Sequence, residues 1–156
     1  MKIHLCVVGR LRKGPEKELI DDYISRFEKI GRSYGLGPVS IIEVEDKKNG
    51  GMPNEALLLK RVIPKGALIA ILDERGQTLS SPDFAKKINS YVTSGISDMA
   101  FIIGGADGIA PSLQALSDLK ISFGKMVWPH ALVRVMIAEQ LYRAASILAG
   151  SPYHRN

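Results

Sequence analysis

Hydrophobic and polar positions alternate between two kinds of segment along this chain. Short, nearly continuous apolar runs occur at residues 2–8, Val39–Val44, Ala67–Leu72, Met99–Ile103 and Ile121–Val127. Runs of this length, bounded by turn residues, predict strands covered on both faces. Between them lie longer stretches with apolar residues three and four apart, the spacing of a helix with one buried stripe. Pro15 opens the first, with Leu19, Ile20, Tyr23, Ile24 and Phe27 as its stripe, and it ends near Gly31. A short helix is predicted from about Pro53 to Val62. Ser81 followed by Pro82 reads as a cap and a first turn for a helix that buries Phe84, Ile88, Tyr91 and Val92. Another short helix is expected from about Pro111 to Leu119. The longest, Ala131–Leu148, carries Leu132, Val135, Met136, Leu141, Ile147 and Leu148 as its apolar stripe, broken by Arg134, Glu139, Gln140 and Arg143. Its polarity marks it as amphipathic and not membrane-spanning. Gly150 and Pro152 stop it.

Strict alternation of strand and helix predicts an α/β fold, a mainly parallel sheet with helices on both faces. No repeat, low-complexity tract or linker divides residues 1–156, so one domain is expected. In such sheets ligands sit at the carboxyl edge of the strands. Here that edge presents Asp73–Gly76, Gly104–Gly108 and Val127–His130, three loops expected on one rim.

Charge adds a direction to this picture. The formal net charge is +5, and residues 120–156 carry five Lys/Arg against Glu139 alone. A basic carboxyl-terminal part favours a phosphate-rich partner. The tail Tyr153-His154-Arg155 places a phenol, an imidazole and a guanidinium in succession. That reads as a tail held for use, against the alternative of a solubilising basic end. Gly9–Gly14 is a basic loop and Asp46–Gly51 a mobile one.

Several chemistries are disfavoured. The glycines of Gly104-Gly105-x-x-Gly108 follow the fourth strand with the wrong spacing for a dinucleotide fingerprint, and no P-loop is present. Glycines at a strand end instead suit a ligand read through backbone groups, such as an adenine ring, or simply a tight turn. His4, His130 and His154 are far apart and Cys6 is alone, so no metal site is expected. His4 reads as a packed or edge residue, Cys6 as a buried thiol, and Trp128 as either a stacking platform for a base or a packing residue. The start of the chain has no signal-peptide pattern, which predicts a cytoplasmic location without membrane attachment.

Taken together, Ile102-Ile103-Gly104-Gly105-Ala106-Asp107-Gly108, Pro129-His130-x-Leu132-Val133-Arg134-Val135, Glu139-Gln140-Leu141-Tyr142-Arg143-Ala144 and Pro152-Tyr153-His154-Arg155 resemble the RlmH (YbeA) family of bacterial SPOUT-class methyltransferases. The resemblance covers essentially the whole chain. It implies an α/β knot with a threaded carboxyl-terminal segment. It implies S-adenosylmethionine as cofactor and N3 of a pseudouridine in large-subunit (23S) ribosomal RNA as the methylated atom. It implies a homodimer whose last helix contributes to the interface. Carried onto this chain, the cofactor pocket involves Leu72, Gly104, Phe123, Gly124, Lys125, Met126, Val127 and Trp128. The residues expected to act on the base are His130, Arg134, Tyr153, His154 and Arg155: the arginines for phosphate or developing negative charge, His130 or His154 for the proton or for base recognition. A dimer would double the modest positive charge and build one RNA site from both subunits, on assembled ribosomes more than on naked RNA. The alternatives are a non-catalytic ribosome- or RNA-binding module on the same scaffold, and a methyltransferase of the same class with another RNA target.

Overall fold

The computed structural model describes residues 1–154. Arg155, one of the expected site residues, lies outside them. In chain order the elements are β1 (Lys2–Val8), α1 (Pro15–Gly31), β2 (Val39–Val44), α2 (Gly51–Val62), β3 (Leu68–Thr78), α3 (Ser81–Thr93), β4 (Asp98–Ile103), α4 (Pro111–Gln114), β5 (Leu119–Ser122) and α5 (His130–Leu148), with one 3-10 turn at Arg32–Tyr34. The five strands form one sheet in the order β2-β1-β4-β3-β5, every pair parallel.

The apolar strands divide their side chains between two cores because successive residues face opposite sides of a sheet. Ile3, Leu5 and Val7 of β1 and Met99, Phe101 and Ile103 of β4 face Phe27 of α1, Phe84 and Ile88 of α3, and Ile137 and Leu141 of α5. Cys6, Val8, Ala100 and Ile102 face Ala56 and Leu59 of α2 and Leu113 of α4. Helix α5 packs against both α1 and α3. Among the described residues no helix is long and apolar enough to cross a membrane.

Several local departures from the pattern-based reading have physical causes. β3 runs on to Thr78 and does not end at Leu72, because it leaves β5 after Leu72 and pairs with it again from Gln77. β5 ends at Ser122, so Gly124 and Lys125 lie in the loop after it. The Ser122 hydroxyl takes the Gly124 N–H and donates to the Glu74 carbonyl, satisfying backbone groups that a longer ladder would have paired. Helix α4 is a single turn, because the Asp118 carboxylate accepts the Ile69 N–H at 2.8 Å and pulls the chain back onto the sheet. The cap of α3 is Ser80, whose hydroxyl accepts the Asp83 N–H, while the Ser81 hydroxyl donates to Gln140 of α5. Finally, the buried side of α5 is made of Arg134, Ile137, Ala138, Leu141, Ala144, Ala145 and Ser146. Small residues there let α5 lie close to its neighbours, and Leu132 is turned outward, 39% exposed.

Candidate active site

The carboxyl ends of β3, β4 and β5 deliver three loops to one hollow. β3 leaves its ladder after Leu72 and rejoins β5 at Gln77, so Asp73–Gly76 bulges over the rim. Gly76 permits this: a Cβ there would lie 2.7 Å from the Ile121 backbone. β4 ends at Ile103 and runs into a tight turn in which the Gly108 N–H bonds to the Gly105 carbonyl. Gly104 has no room for a side chain, since a Cβ would sit 2.5 Å from the Gly108 oxygen. After β5, Gly124 adopts φ +117°, a conformation that favours glycine, and the chain proceeds to Pro129 and the start of α5.

The resulting cavity is about 630 Å³ and is lined by all three loops. Of the residues expected around a cofactor, Leu72, Gly104, Phe123, Gly124, Met126, Val127 and Trp128 line it; Lys125 does not and is exposed beside it. His130, the first residue of α5, lies on its wall. Arg134, Tyr153 and His154 sit elsewhere within one protomer. Arg134, one turn further along α5, is only 2% exposed and donates to the Val8 and Gly9 carbonyls at 2.7 and 2.8 Å and to Glu43 at 3.2 Å. It ties the carboxyl ends of β1 and β2 to α5 and faces away from solvent phosphate. Burial lowers the affinity of its guanidinium for the proton, and Glu43 opposes this. Tyr153 and His154 fold back on α5. The Tyr153 hydroxyl donates to Glu139 Oε1 at 3.0 Å, and its ring lies 4.4 Å from that of Tyr142, centre to centre. Arg143 donates to His154 Nδ1 at 3.3 Å, so that nitrogen presents its lone pair.

Glu55 of α2 escaped the pattern-based reading because it lies in a short amphipathic helix with no motif around it. Its carboxylate reaches the turn after β4: a Cβ on Gly105 would lie 3.0 Å from its Oε1. Burial and the neighbouring Asp46 and Asp107 raise its proton affinity, while the Gly105 N–H and His130 pull it down. Among the described residues no group of three or more His, Cys, Asp or Glu could hold a metal ion.

The family model described as "Predicted SPOUT methyltransferase" matches residues 1–154. The chain belongs to the SPOUT methyltransferase family. Two relatives of this SPOUT chain are each named "Ribosomal RNA large subunit methyltransferase H". One, from Roseobacter denitrificans, is 65% identical over 156 residues, covering both chains completely. The other, from a Ruegeria species, is 64% identical over 155 residues, 99% of each chain. Among solved structures, a probable methylase family protein from Haemophilus influenzae Rd KW20 matches at a TM-score of 0.53 with 11% identity, over 99% of this chain and 70% of that one. That likeness concerns the fold alone: a parallel sheet with helices on both faces, the SPOUT methyltransferase architecture.

Proposed function

We propose that the chain is an S-adenosylmethionine-dependent methyltransferase that methylates N3 of a pseudouridine in large-subunit (23S) ribosomal RNA, as a homodimer. The observation that carries this is the hollow that three loops share at the carboxyl edge of a SPOUT sheet, with His130 on its wall. The naming of its relatives as large-subunit methyltransferases supports the substrate class.

The hollow suits the cofactor. Its volume of about 630 Å³ lies in the range of small-molecule sites. The glycine turn after β4 and the loop around Gly124 offer bare backbone groups to an adenine ring. Asp73, Glu74 and Asp107 on the lining suit ribose hydroxyls and positively charged groups. The first turn of α5, without a side-chain cap, leaves N–H groups for a carboxylate. When bound, the cofactor supplies a sulfonium methyl group for in-line displacement, the N–C bond forming as the S–C bond breaks. The protein's part is to position N3, remove its proton and steady the resulting charge. His130, on the wall of the hollow, is the residue we assign to accept that proton. Tyr153 keeps its own proton, because burial and the Glu139 and Tyr23 contacts raise its pKa, so it serves as a hydrogen-bond donor. Arg155 remains the candidate for steadying negative charge, and Arg134 acts as a positioning residue.

The spacing of residues along α5 supports the homodimer. Glu139, the anchor of Tyr153, lies nine residues beyond His130, which is roughly 13 Å along α5 and on its opposite side. One site containing both His130 and the tail therefore draws them from two protomers. Met126 and Val127 are 70% and 82% exposed in one chain, and with Trp128 and Leu132 they leave an apolar surface at the hollow's mouth that a second copy would cover. The reading includes one domain over residues 1–156, action on assembled ribosomal particles in the cytoplasm, and the family's knot. The close crossing of Gly76 over the Ile121 backbone is consistent with a threaded chain at that point.

Calorimetry with S-adenosylmethionine, followed by methyl transfer to large ribosomal subunits, tests this. His130→Ala should retain cofactor affinity and lose about 100-fold or more in transfer rate. Transfer by that variant at the parental rate would overturn the role of His130. No cofactor binding by the parent protein would favour the non-catalytic module.

A further inference from the structure

We propose that the loop between β1 and α1, Gly9–Gly14, is an arm that grips the RNA phosphate backbone beside the methylation hollow. The inference rests on the ribosomal RNA reading above and assigns part of its binding surface. Arg10, Arg12 and Lys13 fall within this stretch, with no acidic residue among them, and all three are exposed. The loop leaves the carboxyl end of β1, next to β4 in the sheet, so it stands on the same edge as the hollow.

The arm is held in place. Glu43 of β2 accepts the Leu11 N–H at 2.8 Å and Arg134 Nη1 at 3.2 Å, and Arg134 also binds the Val8 and Gly9 carbonyls. Arg134 lies one turn along α5 from His130. The loop's base is thus joined through one buried side chain to the helix that presents His130 to the hollow. Arg10 has only a distant contact with Glu43, 3.9 Å, and its side chain is 73% exposed. Among the described residues, Arg12 and Lys13 form no ion pair, whereas the nearby Lys17 is paired with Asp21 at 2.7 Å. Glu16 and Glu18 follow in the first turn of α1, yet the charges of the loop itself stand free of them. Exposed cations, two of them without an ion pair among the described residues, on a loop held at its base meet the requirement of a polyphosphate strand: counterion release at little conformational cost.

The decisive comparison uses two triple variants of the full chain acting on large ribosomal subunits. Arg10→Ala/Arg12→Ala/Lys13→Ala strips the arm. Lys60→Ala/Arg61→Ala/Lys65→Ala removes equal charge near the carboxyl end of α2 and the start of β3, at the opposite edge of the sheet. The arm variant should raise KM for the particle about 10- to 100-fold, with kcat and cofactor Kd within about twofold. Its log KM should depend less steeply on log salt, by about two to three units of slope. The opposite-edge variant should match the parent. Arg12→Ala/Lys13→Ala, which removes no side-chain hydrogen bond or ion pair among the described residues, should show about two-thirds of the slope change and covers the case that the triple variant folds poorly. An unchanged KM in the arm variants, or equal changes in both triples, would overturn the proposal. Failure of the parent to methylate the particle would instead overturn the ribosomal RNA reading, so the two failures are told apart.

Discussion

Tyr153 donates its hydroxyl proton to Glu139 Oε1 at 3.0 Å, and Arg143 holds that same oxygen at 2.6 and 2.9 Å. The Arg143 guanidinium also lies 4.7 Å from the centre of the Tyr153 ring. One carboxylate and one guanidinium thus clamp the tail to α5, on the side away from His130 of the same chain.

Mixed dimers test the consequence. His130→Ala and Tyr153→Ala protomers, each impaired as homodimers, should recover activity when combined. Random pairing gives about a quarter of the parental rate, since half of the dimers then carry one intact site. Absence of recovery in a dimer proven mixed by mass spectrometry would place both residues in one protomer's site. The rate should also show no tyrosine ionisation below pH 10, because the phenol's pKa is raised.

Gly104 and Gly108 should respond differently to alanine. At Gly104 the new methyl would strike the Gly108 carbonyl at 2.5 Å and Ile109 at 2.8 Å, displacing the turn that edges the hollow. Calorimetry should show cofactor affinity reduced tenfold or more. At Gly108, φ +86° with open space around it, the cost is backbone strain of about 1–2 kcal/mol and a smaller loss of affinity.

Arg134→Ala should lower stability by about 2–4 kcal/mol in denaturant unfolding, because it takes the donor from two backbone carbonyls and the cation from beside Glu43. Arg134→Lys should recover only part of this, since one ammonium cannot reproduce the fork that spans Val8, Gly9 and Glu43. A loss below 0.5 kcal/mol would contradict the clamp.

Cys6 is fully buried in β1, and burial pushes its thiol up to about 11 from 9.0. The folded protein should resist thiol reagents at pH 8 and react only on unfolding. The unfolded chain releases this proton first, so the thiol's contribution to stability is present below pH 9. It fades at up to about 1.4 kcal/mol per pH unit as pH rises from 9 towards 11. Unfolding midpoints of the parent and Cys6→Ala should therefore converge across that window.

The strands and longer helices were readable from periodicity alone, since Ile3, Leu5, Phe101 and their neighbours carry a strong apolar signal. The rim was readable too, because parallel topology sends every β-to-α loop to one edge. The ends of β5 and α4 were not, because Ser122 and Asp118 close them with side-chain hydrogen bonds between residues distant in sequence. Arg134 illustrates the same limit: a charge on a helix reads as solvent-facing, yet here two carbonyls and a carboxylate from other elements take it into the interior. The placement of Tyr153 opposite His130 on α5 depends on how the tail turns after Gly150, which no local pattern encodes.

The most direct test of the central claim is nucleoside mass spectrometry of large-subunit RNA after incubation of purified protein, labelled S-adenosylmethionine and unmethylated ribosomal particles. The account predicts one labelled methyl group per particle, on N3 of a pseudouridine, lost with His130→Ala. A label on a different nucleoside, or none despite intact particles and folded protein, would contradict it.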